Sequence, residues 1–142
     1  MSNPIYKIVT NAEDLQKAFF VRGIVFEEGQ HTPYDEDFDG QDYAAVHFLV
    51  TVDGEPAAAA RMRFFDGYVK IERLAVRQQF RGHGIGKTMF NFVINHAKSL
   101  GCKRLVIHAQ KYLLCFYESF GFVKQGDIFL EANIEHYLMI KN

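Results

Sequence analysis

An α/β domain of the α+β kind, with a mixed, mostly antiparallel central sheet flanked by helices, is the fold class this sequence predicts. Three observations carry the expectation. Strand-like runs meet at Asp53-Gly54 and again at Asp66-Gly67, dipeptides that favour tight hairpin turns. A glycine-rich stretch, RGHGIGKT (81–88), opens a long amphipathic segment. A short apolar run, RLVIHAQ (104–110), then has the character of a strand buried in a sheet interior. The meander excludes a purely parallel, doubly wound sheet.

IYKIVT (5–10) alternates apolar and polar residues and predicts a first strand. NAEDLQKAFFVRGIVFEE (11–28) predicts a helix, with Asn11 as N-cap and Leu15, Phe19 and Phe26 at near-helical spacing. Residues 27–42, EEGQHTPYDEDFDGQD, hold seven carboxylates and no Lys or Arg, which suits a surface loop or short helix. AVHFLVTVDGEPAAAARMRFF supplies two strands of the meander and DGYVKIERLAV the third. Beyond the glycine-rich loop, Ile85, Met89, Phe92, Val93, His96, Ala97 and Leu100 recur at helical steps as far as Gly101. RLVIHAQ, a helix over YLLCFYESFGF ending at Gly121, and final strand material in FLEANIEHYLMIK complete the order β-α-loop-β-β-β-α-β-α-β.

The 142 residues suit one domain, 1–142, able to bury a core without metals or disulfides. Sixteen Lys and Arg against seventeen Asp and Glu leave no broad basic footprint, so nucleic acid is not an expected partner. Cys102 and Cys115 lack CxxC spacing and read as reduced, buried small hydrophobes of a cytoplasmic protein. MSNPIYKIV is not leader-like, and no apolar run approaches the ~18 residues of a membrane span.

RGHGIGKT has three possible readings as a phosphate loop. A Walker A loop needs its first glycine where Arg81 stands, and the dinucleotide fingerprint needs its third where Lys87 stands. The pattern R-x-x-G-x-G is met by Arg81, Gly84 and Gly86, at the junction of a strand and a helix. Glycines there let backbone N–H groups at the helix N-terminus approach a diphosphate, and the helix dipole favours the negative charge.

RLAVRQQFRGHGIGKTMFNFVINHAKSLG resembles the acetyl-CoA-binding motif of the GCN5-related N-acetyltransferase (GNAT) superfamily, and CFYESFGF resembles its C-terminal FYxxxGF motif. VFEEGQHTPYDEDFDGQD and EANIEHYLM are similar to stretches of the ElaA-like and YjcF-like branch, so the resemblance covers nearly the whole chain. It implies a GNAT fold whose splayed strands form an acyl-CoA cleft. It further implies acetyl-CoA as co-substrate, direct transfer to a primary amine of a small-molecule or peptide acceptor, and no metal. A non-catalytic acyl-CoA sensor or interaction module of the same fold is the alternative.

By motif position, the resemblance assigns the backbone of Leu74, Ala75 and Val76 to the acetyl carbonyl and pantetheine amides. The pyrophosphate falls to the N–H groups of Arg81, Gly82, His83, Gly84, Ile85, Gly86 and Lys87, with Thr88 either contacting it or lying on the helix surface. Gln110 stands where family members often carry an Asn that contacts pantetheine, and Tyr117 is the candidate general acid. A phenol of pKa ~10 beside a thiolate of pKa ~8.5 can donate a proton or a hydrogen bond.

An alkyl amine of pKa ~10.4 must lose a proton before attack, so a base is expected. Glu72 is one candidate, placed by two-residue alternation on the face of Leu74 and Val76, with a salt bridge as its competing role. His108 and His136 are the others, each competing with a structural role. Glu28, Asp35, Asp37 and Asp39 could attract a cationic amine or belong to a solvated loop. Neither cysteine has a flanking base, so transfer without an acetyl-cysteine intermediate is expected. Exposed edge strands leave a homodimer open.

Overall fold

The protein, described here by a computed structural model over residues 3–142, begins with β1 (Ile5–Ile8) and α1 (Ala12–Arg22). A short α2 (Tyr34–Asp37) precedes the meander β2 (Val46–Val52), β3 (Glu55–Phe65) and β4 (Tyr68–Val76). Then come α3 (Ile85–Ser99), β5 (Leu105–Gln110), α4 (Leu114–Glu118), β6 (Val123–Glu131) and β7 (Ile134–Lys141). The strands form one sheet in the order β1-β2-β3-β4-β5-β7-β6, antiparallel except where β4 runs parallel to β5.

Local chemistry explains the elements. Asn11 caps α1, its side chain accepting from the Asp14 N–H at 2.8 Å, which satisfies one of the donors that a helix start leaves free. Beyond Arg22 the helix widens into a π-helical stretch, Gly23–Glu28, which leads into the acidic segment. Ala18, Val21 and Val25 bury one face of this helix on Leu49, Ala59 and Ala75. On the opposite face α3 sets Met89, Phe90, Val93, Ile94 and Ala97 against Phe48, Val50, Met62, Ile71, Leu105 and Ile107. Tyr117 from α4 and Phe122 complete that layer.

Two departures from the sequence pattern matter for the site. The C-terminal strand material is a hairpin, β6 and β7, whose turn residues Ala132 and Asn133 have φ of 51° and 60°. Ala-Asn is not a pair that announces such a turn, because only glycine and, less readily, Asn or Asp favour the left-handed region. The second departure is a bulge. In β4 two residues, Arg73 and Leu74, stand opposite Ala60 alone, and Arg73 adopts φ of 56°. The alternation therefore breaks: Glu72 shares its face with Ala75, and the expectation that it shares a face with Leu74 and Val76 is corrected.

The cysteines are also less buried than expected. Cys102 is half-buried, while Cys115 is exposed because α4 turns Tyr117 inward instead.

Candidate active site

β4 and β5 pair only at Val69 with Leu105 and Lys70 with Val106. Past that point the two strands diverge, and β5 continues its pairing on the other side, with β7. The gap opens into a cavity of about 910 Å³ that runs from the start of α3 through the sheet to the face bearing Glu72.

At the α3 end, Gly82 and Gly84 have φ of 82° and 80°, a backbone region costly for any residue with a Cβ. Gly84 is the N-cap and supplies no side-chain acceptor, so the first-turn N–H groups of α3 are left to a ligand or water. Arg81 folds back, its Nε donating to the Val76 carbonyl at 2.8 Å. Arg81, Gly82, Gly84, Ile85, Gly86 and Lys87 line the cavity together with Leu74, Ala75 and Val76. His83 and Thr88 are exposed and lie outside the lining.

Tyr117 also lines the cavity, is only 7% exposed, and packs edge-on against Phe90 and Phe116. Burial, with a smaller contribution from Tyr112, pushes its phenol above the ordinary value and keeps it neutral. Gln110 reaches across the cleft to form a reciprocal amide pair with Gln30, at 3.0 and 3.4 Å.

Glu72 is enclosed by cations. Arg61 reaches it at 2.8 Å, the Arg63 Nε also bonds it, Arg73 lies at 3.6 Å and Lys70 at 4.0 Å. Burial works to raise its pKa, but the bonds from Arg63 and Arg61 outweigh this and hold the carboxyl below the usual glutamate range. That makes it a weak proton acceptor.

Part of the acidic segment is withdrawn from solvent and paired within the fold. Arg22 and Arg61, 1% and 0% exposed, take up Asp37, Asp39 and Asp42. Arg73 holds the Glu36 carbonyl at 2.8 Å and Asp39 at 3.2 Å, which fixes its own strained backbone. Glu28 and Asp35 remain exposed, and of these Asp35 lines the cavity.

The opposite wall of the cavity holds His108 from β5 and His136 from β7. Glu131 of β6 joins them, 3.0 Å from His108 Nδ1 and 3.7 Å from His136 Nε2. The hydrogen bond from His108, ahead of an opposing contribution from burial, keeps Glu131 below its ordinary value. An ionised carboxylate only accepts, so the bond to Glu131 puts a proton on His108 Nδ1 and leaves Nε2 without a bonded partner among the described residues. The His136 ring stacks on Phe129, and its Nδ1 bonds the Ile134 carbonyl at 2.7 Å.

Sequence reasoning missed Glu131, Gln30, Lys70, Arg22 and Arg61. Two of these left a trace: Arg22 interrupts an apolar helical stripe, and Arg61 follows four alanines in the buried middle of its strand. A charge where the pattern demands an apolar residue signals buried partners elsewhere in the chain. Among the described residues no group of three or more His, Cys, Asp or Glu side chains is gathered to hold a metal ion. No helix among them is long and apolar enough to cross a membrane.

Residues 25–142 match the family described as the acetyltransferase (GNAT) domain. An N-acetyltransferase of Bacillus subtilis described as uncharacterized, YjcF, is 35% identical over 137 residues, covering 95% of this chain and 97% of that one. An acyl-CoA N-acyltransferase from Pseudomonas aeruginosa superposes with a TM-score of 0.91 at 25% identity, covering 99% of this chain and 100% of that one. ElaA of Escherichia coli superposes with a TM-score of 0.90 at 26% identity, with 97% and 99% covered.

Proposed function

The chain belongs to the GNAT acetyltransferase family, in its ElaA-like and YjcF-like branch, and from that premise we propose that it transfers an acetyl group from acetyl-CoA directly to a primary amine. The observation that carries the reading is the continuity of the cavity. It joins an uncapped helix start, fit for a diphosphate, to unpaired strand edges, a buried phenol and a histidine–carboxylate pair.

The pyrophosphate sits on the first-turn N–H groups of α3, with Lys87 adding charge. Pantetheine runs along the free edge of β4 at Leu74, Ala75 and Val76, and takes the Gln110 amide in exchange for Gln30. His108 Nε2, alone or through a water, receives the proton of the acceptor ammonium. The amine lone pair attacks the thioester carbonyl, the C–N bond forms, the nitrogen gives up its second proton to solvent, and the C–S bond breaks to release thiolate. Tyr117 meets that sulfur. Because its phenol is less acidic than a thiol, it stabilises the thiolate as a hydrogen-bond donor, while solvent supplies the final proton. Neither Glu72 nor a metal is assigned a step.

Calorimetric titration with acetyl-CoA, with ATP and NAD as parallel controls, tests the cofactor. Saturable binding of acetyl-CoA alone is expected, whereas binding of ATP or NAD in its place refutes the reading.

A further inference from the structure

The sheet face that bears Glu72 also bears Arg63 and Lys70 and, across the splay, His108 and His136. Around Glu72 one ion-pair network joins five cations, Arg22, Arg61, Arg63, Lys70 and Arg73, to four carboxylates, Asp37, Asp39, Asp42 and Glu72. His47 at the edge of the network is kept toward its neutral form by burial. Glu27 adjoins Asp37 at the margin of the network, where burial, and Asp37 after it, raise its pKa.

Distances show which of these cations lacks a bonded counter-ion. Each of the four arginines has a carboxylate oxygen within hydrogen-bond reach. For Lys70, the one carboxylate within 4.0 Å among the described residues is Glu72, too far for a hydrogen bond, and the same Oε2 already receives Arg61 at 2.8 Å. The Lys70 side chain is 16% exposed and lines the cavity. A cation so withdrawn from water, with no bonded counter-ion, is an unmet demand for an anion. Burial is also the main influence lowering its pKa. Glu131 acts on it only across the cavity and is bonded to His108.

We infer that the acceptor amine carries an anionic group of its own, a carboxylate or a phosphate, which Lys70 binds while the amine faces the His108–Glu131–His136 wall. The inference rests on the acetyltransferase reading and adds to it the class of acceptor. A plain alkyl amine leaves Lys70 unpaired, and a diamine places a second cation beside it, so both are disfavoured.

The test measures thiol release from acetyl-CoA with free α-amino acids, their methyl esters, phosphoethanolamine, ethanolamine and putrescine. Transfer is expected to amino acids or to phosphoethanolamine, the two arms separating carboxylate from phosphate. The matched ester, or ethanolamine, is expected to fall behind in kcat/KM by about tenfold or more. The ester's amine is the less basic and more available nucleophile, so preference for the acid cannot come from intrinsic reactivity. Lys70→Met is expected to raise KM for the preferred acceptor about tenfold and erase the preference without changing KM for acetyl-CoA, whereas Lys70→Arg keeps it.

Esters, ethanolamine or putrescine acetylated as well as their anionic counterparts overturn the inference, as does an undiminished preference in Lys70→Met. Binding of acetyl-CoA with no anionic amine acetylated overturns it too. All three outcomes leave the family's chemistry standing. Failure to bind acetyl-CoA at all removes the acetyltransferase reading itself, and the inference with it.

Discussion

Gly86→Ala separates what the glycine-rich loop does for folding from what it does for binding. Gly86 lies in the first turn of α3 with an ordinary negative φ, and a Cβ built there meets Val76 Cγ2 at 3.5 Å, normal van der Waals contact. The folded state accepts the methyl group, and the unfolded chain loses freedom, so stability should rise by about 0.4–1 kcal/mol. An unfolding entropy of ~2.1 cal/mol/K per residue amounts to about 0.3 kcal/mol/K over 142 residues, so Tm should rise by about 1–3 °C. The same methyl group lines the cavity where the diphosphate has to approach the backbone, and acetyl-CoA affinity should fall about tenfold or more. Gly84→Ala is the companion. At φ of 80° it meets no neighbour within 4 Å but costs about 1–2 kcal/mol of left-handed strain, which lowers Tm by roughly 3–7 °C. Differential scanning calorimetry and titration of both variants read the two effects. A Gly86→Ala protein that is destabilised, or that binds acetyl-CoA as tightly as the parent, refutes the reasoning.

Tyr117→Phe should lower kcat by roughly 10²-fold while acetyl-CoA affinity is retained, and equal turnover removes the phenol from the mechanism. His108→Gln should cost about 10²-fold in kcat with acetyl-CoA affinity retained, whereas unchanged turnover assigns the base elsewhere. Asp39, Asp42 and Glu72 are all held below their ordinary values, their arginine partners outweighing the opposing effect of burial. Their folded pKa values lie below the unfolded ones, so the stabilisation is complete above about pH 4 and is lost as pH falls further. Tm should accordingly drop below about pH 4, less steeply in Asp39→Asn, and a flat profile down to pH 3 contradicts the network.

The meander, the amphipathic α3 and the glycine loop were legible because each rests on local chemistry: Asp-Gly turns, helical spacing, and residues free to take positive φ. Tyr117 and the loop residues were assigned by motif position, and all of them but His83 and Thr88 line one cavity. What stayed hidden depends on distant partners. Alternation along β4 cannot announce the bulge at Arg73, since that strained conformation is held by the Glu36 carbonyl and Asp39, over thirty residues away. The acidic run read as one surface because composition carries no information about which carboxylates Arg22 and Arg61 withdraw from water. Glu131 fell in a stretch whose second strand was missed, so nothing brought it near His108.

The two-residue seam between β4 and β5 has a mechanical consequence. Two leaves share a short spine: one comprises β1 to β4 under α1, the other β5 to β7. Opening the leaves by a fraction of an ångström at the far end breaks no ladder bond, because none spans them there. Width at that end is therefore set by the packing of α3 on both leaves and by the Gln30–Gln110 pair, and not by the strand ladder. Peptide groups that face the gap exchange hydrogen with solvent readily until a ligand fills it, so deuterium uptake along Ile71–Val76 and Ile107–Gln110 serves as a gauge of occupancy.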